Sequence, residues 1–306
     1  MGLLWRVLAP GPAVATMFSI SGFLCAASYE RCKVIKAFYL KRIVRIYPAL
    51  IVVVLIPIII YISIGATQIT LRGLLRYLIR GITLGDAGKE YLPDGAMGNG
   101  SLWTVFIQVQ FYAITPLLML LLRKTQKVIH VGAGGVFLLV SLVMPIIMNR
   151  SEGIVNSAFG VSCLPYLYMY YVGVYLYVYR KDDLRFLIKW FPLILVVYCI
   201  AHYVIGMDTF KGKYYINPLS GFLISIIAIS GAYALGAYKF KVDISYGIYL
   251  WHMAVLDIVT VIFGVHDMAL FLSTISITLL IAFSSYWFVE KTMCSLLNRS
   301  LKKVIK

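Results

Sequence analysis

The stretch Phe38-Tyr-Leu-Lys-Arg-Ile-Val-Arg-Ile-Tyr-Pro48 lies between two long apolar segments and leads directly into the second of them. We expect residues 29–45, which overlap this stretch, to form a loop. This loop contains one acid, Glu30, and six basic residues: Arg31, Lys33, Lys36, Lys41, Arg42 and Arg45. If a helix runs through Arg42 and Arg45, the two share a face and can bind one anion together. The stretch is therefore either an orientation signal at a membrane surface or a binding site for a phosphorylated ligand.

The composition favours a membrane protein. Of 306 residues, 61% are hydrophobic and 13% are charged, whereas soluble domains carry about 25% charged residues. The net charge of +16 does not indicate nucleic-acid binding, because basic residues are expected on the cytoplasmic loops of membrane proteins. We predict an all-α polytopic integral membrane protein that forms one domain over 1–306.

Apolar windows predict about nine transmembrane helices, since a helix needs about 20 residues to cross a bilayer. The windows lie near 13–28, 46–64, 102–122, 129–148, 160–179, 189–206, 215–237, 243–263 and 268–289.

The segment between the second and third windows has a different pattern. Arg72, Arg76 and Arg80 recur every four residues, and leucines occupy the other side. This pattern predicts one amphipathic helix that lies in the membrane interface. The glycine-rich stretch 85–100 that follows is predicted to be an exposed loop.

The distribution of basic residues predicts the orientation. If the 29–45 loop is cytoplasmic, nine spans place twenty of the 28 lysines and arginines on that side. We therefore expect a multi-pass protein of the cytoplasmic (inner) cell membrane with its C-terminus inside and its N-terminus outside.

Polar groups inside predicted spans are candidate functional residues, because they are costly in lipid. Gln108 lies well inside the third span, and His252 lies in the middle of the eighth beside Trp251, with Asp257 further on. Gln108 could be a functional residue, or it could simply make an interhelical hydrogen bond. His252 could transfer a proton near neutral pH or could be an ordinary buried histidine. No cysteine or histidine spacing indicates a metal site or a permanently bound cofactor.

Several motifs, in order, resemble the acyltransferase-3 family of membrane O-acyltransferases over about 14–293. They are Phe18-Ser-Ile-Ser-Gly-Phe-Leu24, Lys41-Arg-Ile-Val-Arg-Ile-Tyr-Pro48, Trp103 to Tyr112 followed by Pro116, Ile244-Ser-Tyr-Gly-Ile-Tyr-Leu-Trp-His252 and Ser285-Tyr-Trp-Phe-Val-Glu-Lys291.

The resemblance implies transfer of an acyl group, expected to be acetyl, from acyl-CoA to a hydroxyl of a cell-surface glycan or lipid-linked sugar. It assigns Arg42 and Arg45, with Tyr47 of the same motif, to the CoA donor, and it makes His252 and Gln108 the candidate catalytic residues. The expected partners are the lipid bilayer, acyl-CoA and the sugar acceptor, with no nucleic acid.

The sequence departs from the family pattern at two points. The family's first helix, with its arginine and its histidine base, is expected to be missing, because the match begins at the second helix. In addition, Gln108 replaces the family's glutamate, and an amide cannot carry a charge. Two alternatives therefore stay open: a multipass glycan-assembly or transport protein without chemistry, and an inactive truncated homologue.

Overall fold

A computed structural model describes residues 11–32, 34–86, 88–124, 126–150, 160–179, 183–204, 218–235, 242–264 and 268–304. Within these ranges the regular structure is helical. The α-helices are α1 (Gly11–Arg31), α2 (Ile35–Ser63), α3 (Leu71–Thr83), α4 (Leu102–Lys124), α5 (Lys127–Arg150), α6 (Leu167–Val178), α7 (Asp183–Lys189), α8 (Phe191–Cys199), α9 (Pro218–Ala234), α10 (Ser245–Phe263), α11 (Met268–Ser285) and α12 (Lys291–Val304). Short 3₁₀ turns occupy Lys89–Tyr91 and Leu164–Tyr166, and π turns occupy Ile200–Val204 and Tyr286–Glu290.

The helices confirm a multi-pass membrane protein. In the described residues, five helices are long and apolar enough to cross a membrane: Ile35–Ser63, Leu102–Lys124, Lys127–Met144, Ser245–Phe263 and Leu270–Leu297. Phe191–His202 and Pro218–Ala234 are shorter apolar helices. Each predicted window overlaps helical structure, although the total of nine spans stays a prediction.

The basic stretch is not the loop that we predicted over 29–45. Helix α1 continues to Arg31 and α2 begins at Ile35, so Lys36, Lys41, Arg42 and Arg45 are helical. Arginine and lysine are good helix formers, and a helix can therefore extend past the apolar run that defines its span.

The amphipathic helix α3 begins after Thr70, whose hydroxyl accepts a hydrogen bond from the Gly73 N–H. It buries Gly73, Tyr77 and Gly81. The Leu71 side chain is 74% exposed, so an apolar edge remains uncovered beside the arginines, as an interfacial helix requires.

The chain divides into two compact units, of which the first comprises the described parts of 1–35 and 107–239. Its centre is the contact between α1 and α6. A Cβ at Gly22 would overlap the backbone oxygen of Tyr170, and a Cβ at Gly173 would overlap that of Ser19. Close backbone contact at small residues is the usual packing of helices in lipid.

The second unit comprises 36–106 and 240–306. Side chains join α2 to α10 at two levels. The Tyr246 hydroxyl, near the start of α10, donates to the Ile46 carbonyl oxygen in the middle of α2 over 3.0 Å. Further along both helices the Tyr61 hydroxyl donates to Asp257 over 2.8 Å. The two helices therefore run in the same direction.

Candidate functional site

The two arginines of the basic stretch lie on one helix, as the anion-binding interpretation requires. The Arg42 guanidinium carbon lies 5.7 Å from the centre of the Phe38 ring, and Phe38 is fully buried. Arg42 is therefore half-buried against an aromatic face, whereas Arg45, one turn on, is exposed. Tyr47 is half-buried on the same helix.

Asp243 holds the Arg45 side chain in place. The Arg45 Nη2 atom lies 3.3 Å from Asp243 Oδ2, and both side chains are about half exposed. Asp243 stands just before α10 and accepts hydrogen bonds from the Ser245 N–H and hydroxyl through Oδ1. The start of α10 is thus tied to the basic pair on α2.

The ionised form of Asp243 is favoured in the folded chain. Partial burial pushes the pKa of this carboxyl upward. The Ser245 hydrogen bonds and the nearby Arg45 charge together outweigh burial and bring the pKa below its ordinary value.

Glu290 is a further acid of this region that we did not predict as a site residue. It ends the π turn before α12 and is 9% exposed, and among the described residues its Oε1 atom has no hydrogen-bond partner. It lies within electrostatic range of Arg45 and Asp243. Its neighbour Lys291 is exposed, with Nζ 3.5 Å from the centre of the Trp287 ring.

His252 lies on α10, seven residues after Ser245, which corresponds to about 10 Å along a helix axis. Its Nδ1 atom is 2.7 Å from the Tyr249 carbonyl oxygen and 3.2 Å from that of Ile248. Carbonyl oxygens only accept hydrogen bonds, so Nδ1 carries the proton. In the neutral ring the lone pair is then on Nε2, the atom that can accept a proton from another group.

Gln108 lies in the first unit and makes an interhelical contact. Its Nε2 atom donates to the Ser21 hydroxyl of α1 and, over 3.0 Å, to the Tyr112 hydroxyl. Gln110 lies two residues beyond and binds a different segment, with its amide joined to the main chain of Val161 and Cys163. The amide of Gln108 is thus engaged in joining α4 to α1.

Asp257 is the other acid that the sequence left without a role. It is 3% exposed and lies five residues beyond His252 on α10. The signal available in the sequence was its position inside an apolar window, where a carboxylate is costly. Its partners come from distant parts of the chain and have no local signature.

The described residues contain no group of three or more histidines, cysteines, aspartates or glutamates suited to a metal ion. The arrangement offers other chemistry: a pair of cations on α2, a carboxylate that holds one of them, and an imidazole with an available lone pair on α10, the helix that begins just after this carboxylate.

The long apolar helices define a multi-pass membrane protein. The sequence model of the acyltransferase-3 family, described as an acyltransferase domain, matches residues 5–289. The chain belongs to this family, and its membership implies acyltransferase activity with an acyl donor.

One similar curated protein is "Nodulation protein 10" of Rhizobium leguminosarum bv. viciae. It is 28% identical over 277 residues, which cover 82% of this chain and 73% of that protein. No solved structure shows significant similarity to the chain.

Proposed function

We propose that this membrane acyltransferase is an O-acyltransferase that moves an acetyl group from acetyl-CoA to a hydroxyl of a cell-surface glycan or lipid-linked sugar. The observation that carries the proposal is the arrangement on α10. Its start holds Arg45 through Asp243, and His252 stands about 10 Å further along with its lone pair on Nε2.

Arg42 and Arg45 bind the phosphates of the CoA donor. Guanidinium groups are always charged, and their planar forks match phosphate oxygens. The Phe38 ring restricts Arg42, and Asp243 restricts Arg45, so both side chains are partly ordered before the donor arrives. Tyr47, two residues beyond Arg45, completes the donor side with its hydroxyl.

His252 acts as the general base. Its Nε2 atom takes the proton of the acceptor hydroxyl, the alkoxide oxygen attacks the thioester carbonyl carbon, and the tetrahedral intermediate collapses with the C–S bond broken. Protonated Nε2 then gives this proton to the leaving CoA thiolate, so the imidazole returns to its neutral form. The hydrogen bonds from Nδ1 to Tyr249 and Ile248 keep the ring in the tautomer that this step needs.

Gln108 has a positioning role in this proposal. Its amide cannot ionise, but its bonds to Ser21 and Tyr112 order the early turns of α4 against α1.

The same proposal includes the orientation of the chain. Nine spans with the C-terminus in the cytoplasm place Arg42 and Arg45 on the cytoplasmic side, where acyl-CoA is made. The asymmetry of lysine and arginine supports this orientation.

The test is acyl transfer by Arg42→Ala and Arg45→Ala variants of the full chain in nanodiscs, with radiolabelled acetyl-CoA and membrane glycolipids of the host. Each substitution removes charge-assisted hydrogen bonds of roughly 2–3 kcal/mol, so kcat/KM for acetyl-CoA should fall roughly 30- to 150-fold. Lys41→Ala is the matched control, because Lys41 is an exposed cation beside Arg42.

Equal losses in the Lys41 variant would show that only the general charge of the stretch matters. Unchanged transfer in both arginine variants would refute the donor role. A wild-type chain that transfers no acetyl group from acetyl-CoA would refute the proposed function.

A further inference from the structure

A buried carboxylate holds part of the glycine-rich segment beside the helix that carries His252. Asp257 Oδ1 accepts the Met97 main-chain N–H over 2.6 Å, while Oδ2 accepts the Tyr61 hydroxyl over 2.8 Å. A carboxylate inside an apolar helix is stable only when such donors satisfy it. The Met97 contact therefore contributes to the stability of Asp257 at its place in α10.

Further contacts join the same segment to α10 at the other side of His252. The Asn99 amide donates to the Leu250 carbonyl oxygen over 2.9 Å. The Tyr249 hydroxyl donates to the Ser101 carbonyl oxygen over 3.2 Å and also contacts the Thr104 hydroxyl. The anchors at 249–250 and at 257 thus lie on either side of His252 in the helix.

Two glycines give the backbone of this segment the conformation that brings it against α10. Gly95 and Gly98, on either side of Met97, have φ angles of +83° and +73°, which side chains disfavour. The Asn99 side-chain oxygen also accepts the Ser101 N–H and hydroxyl, so the segment has a defined shape. Our prediction of an exposed loop over 85–100 was therefore incomplete, because specific contacts tie down its second half.

We infer that Asp257 is a positioning residue that holds residues 94–101 against α10, the helix that carries His252, and that these residues form a wall of the acceptor subsite. The inference rests on the proposed function. The segment exposes groups that suit sugar hydroxyls, namely the Asp94 carboxylate and the main chain at Gly95 and Gly100. Carboxylates and main-chain carbonyls accept hydrogen bonds from hydroxyl groups.

The test combines kinetics with hydrogen exchange on the full chain in nanodiscs. Asp257→Ala removes both acceptor oxygens. We expect the KM for the acceptor to rise about tenfold, which corresponds to roughly 1.4 kcal/mol, with the KM for acetyl-CoA unchanged. The acceptor probes are a soluble tetrasaccharide and a polyprenyl-diphosphate-linked monosaccharide, measured separately.

Two further variants separate positioning from general damage. Asp257→Asn keeps one acceptor for Met97 and offers an amide N–H to the Tyr61 oxygen, so it should restore most of the acceptor affinity. Tyr61→Phe removes one of the two bonds and should have a smaller effect than Asp257→Ala. Amide exchange in peptides that cover 94–101 should be about tenfold faster in Asp257→Ala than in wild type.

Unchanged exchange in this segment overturns the inference, whether or not either sugar is acylated. Faster exchange with an unchanged acceptor KM overturns the acceptor role, and an equal rise in the KM for acetyl-CoA overturns it as well. A wild-type chain that acylates neither sugar contradicts the proposed function, and the acceptor role of the segment falls with it, while exchange still decides whether Asp257 anchors the segment.

Discussion

The hydrogen bonds of His252 determine which of its nitrogens can react. Because Nδ1 is used by the carbonyl oxygens of Tyr249 and Ile248, chemistry at this residue must occur at Nε2. The two contacts come from the preceding turn of the same helix, so they do not depend on distant packing. A substitution that keeps these contacts but lacks Nε2 can therefore separate structure from catalysis.

His252→Asn is such a substitution, because its amide N–H can replace Nδ1–H. We expect kcat to fall by about 10²- to 10⁴-fold, the usual contribution of a general base, with little change in the KM for acetyl-CoA. His202→Gln, in the first unit, is the matched control and should retain activity. Wild-type kcat in His252→Asn would show that another group removes the proton.

The ion pair between Arg45 and Asp243 has a defined pH dependence. The pKa of Asp243 lies below its ordinary value of 3.8, so the pair contributes stability above that pH and loses it as the pH falls through the lowered pKa. Thermal unfolding in detergent should therefore show a stabilising difference between wild type and Asp243→Asn from about pH 5 to 8 that disappears only below about pH 4.

Asn at position 243 can still accept the Ser245 hydrogen bonds, so the difference isolates the charge. A difference that already disappears near pH 6 would contradict this assignment.

The sequence alone predicted those residues of the candidate site that are marked by their spacing or by their position in an apolar window. The spacing of Arg42 and Arg45 implied a shared face, and the burial cost of His252 and Gln108 marked them inside apolar windows. It did not find the partners. Asp243 follows Arg45 by 198 positions in the chain, and Met97 precedes Asp257 by 160. Such pairings depend on tertiary structure and have no short-range signature.

At the scale of helices, apolar length predicted where spans lie, but not where helices begin. Helix α2 starts at Ile35, well before the apolar window near 46, because its first turns are basic and leave the bilayer. The prediction for the glycine-rich segment was limited in a similar way. Glycines predict turns, but they do not show which carboxylate will bind the main chain.

The contact between α1 and α6 depends on two glycines. A methyl group at Gly22 or Gly173 would overlap a backbone oxygen of the facing helix, and rigid helices cannot relieve this without separating. We expect Gly22→Ala and Gly173→Ala each to destabilise the folded chain by about 1–3 kcal/mol, measured by thermal unfolding in detergent micelles.

Gly132→Ala is the matched control, because no atom lies within 4 Å of the added methyl group. On a helix it should be neutral or stabilise by about 0.5–1 kcal/mol. Equal destabilisation by all three substitutions would show that the effect is not one of close packing.

At the scale of the whole molecule, the orientation can be tested with native cysteines. Cys32, Cys199 and Cys294 are partly accessible, whereas Cys25 and Cys163 are buried. Cys199 lies in the apolar helix Phe191–His202, where we expect a membrane-impermeant reagent not to reach it. If the C-terminus is cytoplasmic, Cys32 and Cys294 lie on the same side. A membrane-impermeant maleimide should then label the chain in inverted vesicles but not in intact cells, and Cys32→Ser with Cys294→Ser should abolish labelling. Labelling in intact cells would show that these cysteines face the outside, which is the opposite of the predicted orientation.

The π turn at Tyr286–Glu290 determines which side of the following helix, α12, faces which direction. One extra residue per turn lets Glu290 face inward while Lys291 stays over Trp287 on the outside. Deleting a single residue from this turn would rotate α12 by about 100° about its axis. The edge of that helix that carries Leu296 would then face a direction about 100° from its present one. The length of the turn therefore fixes the direction in which α12 presents its apolar edge.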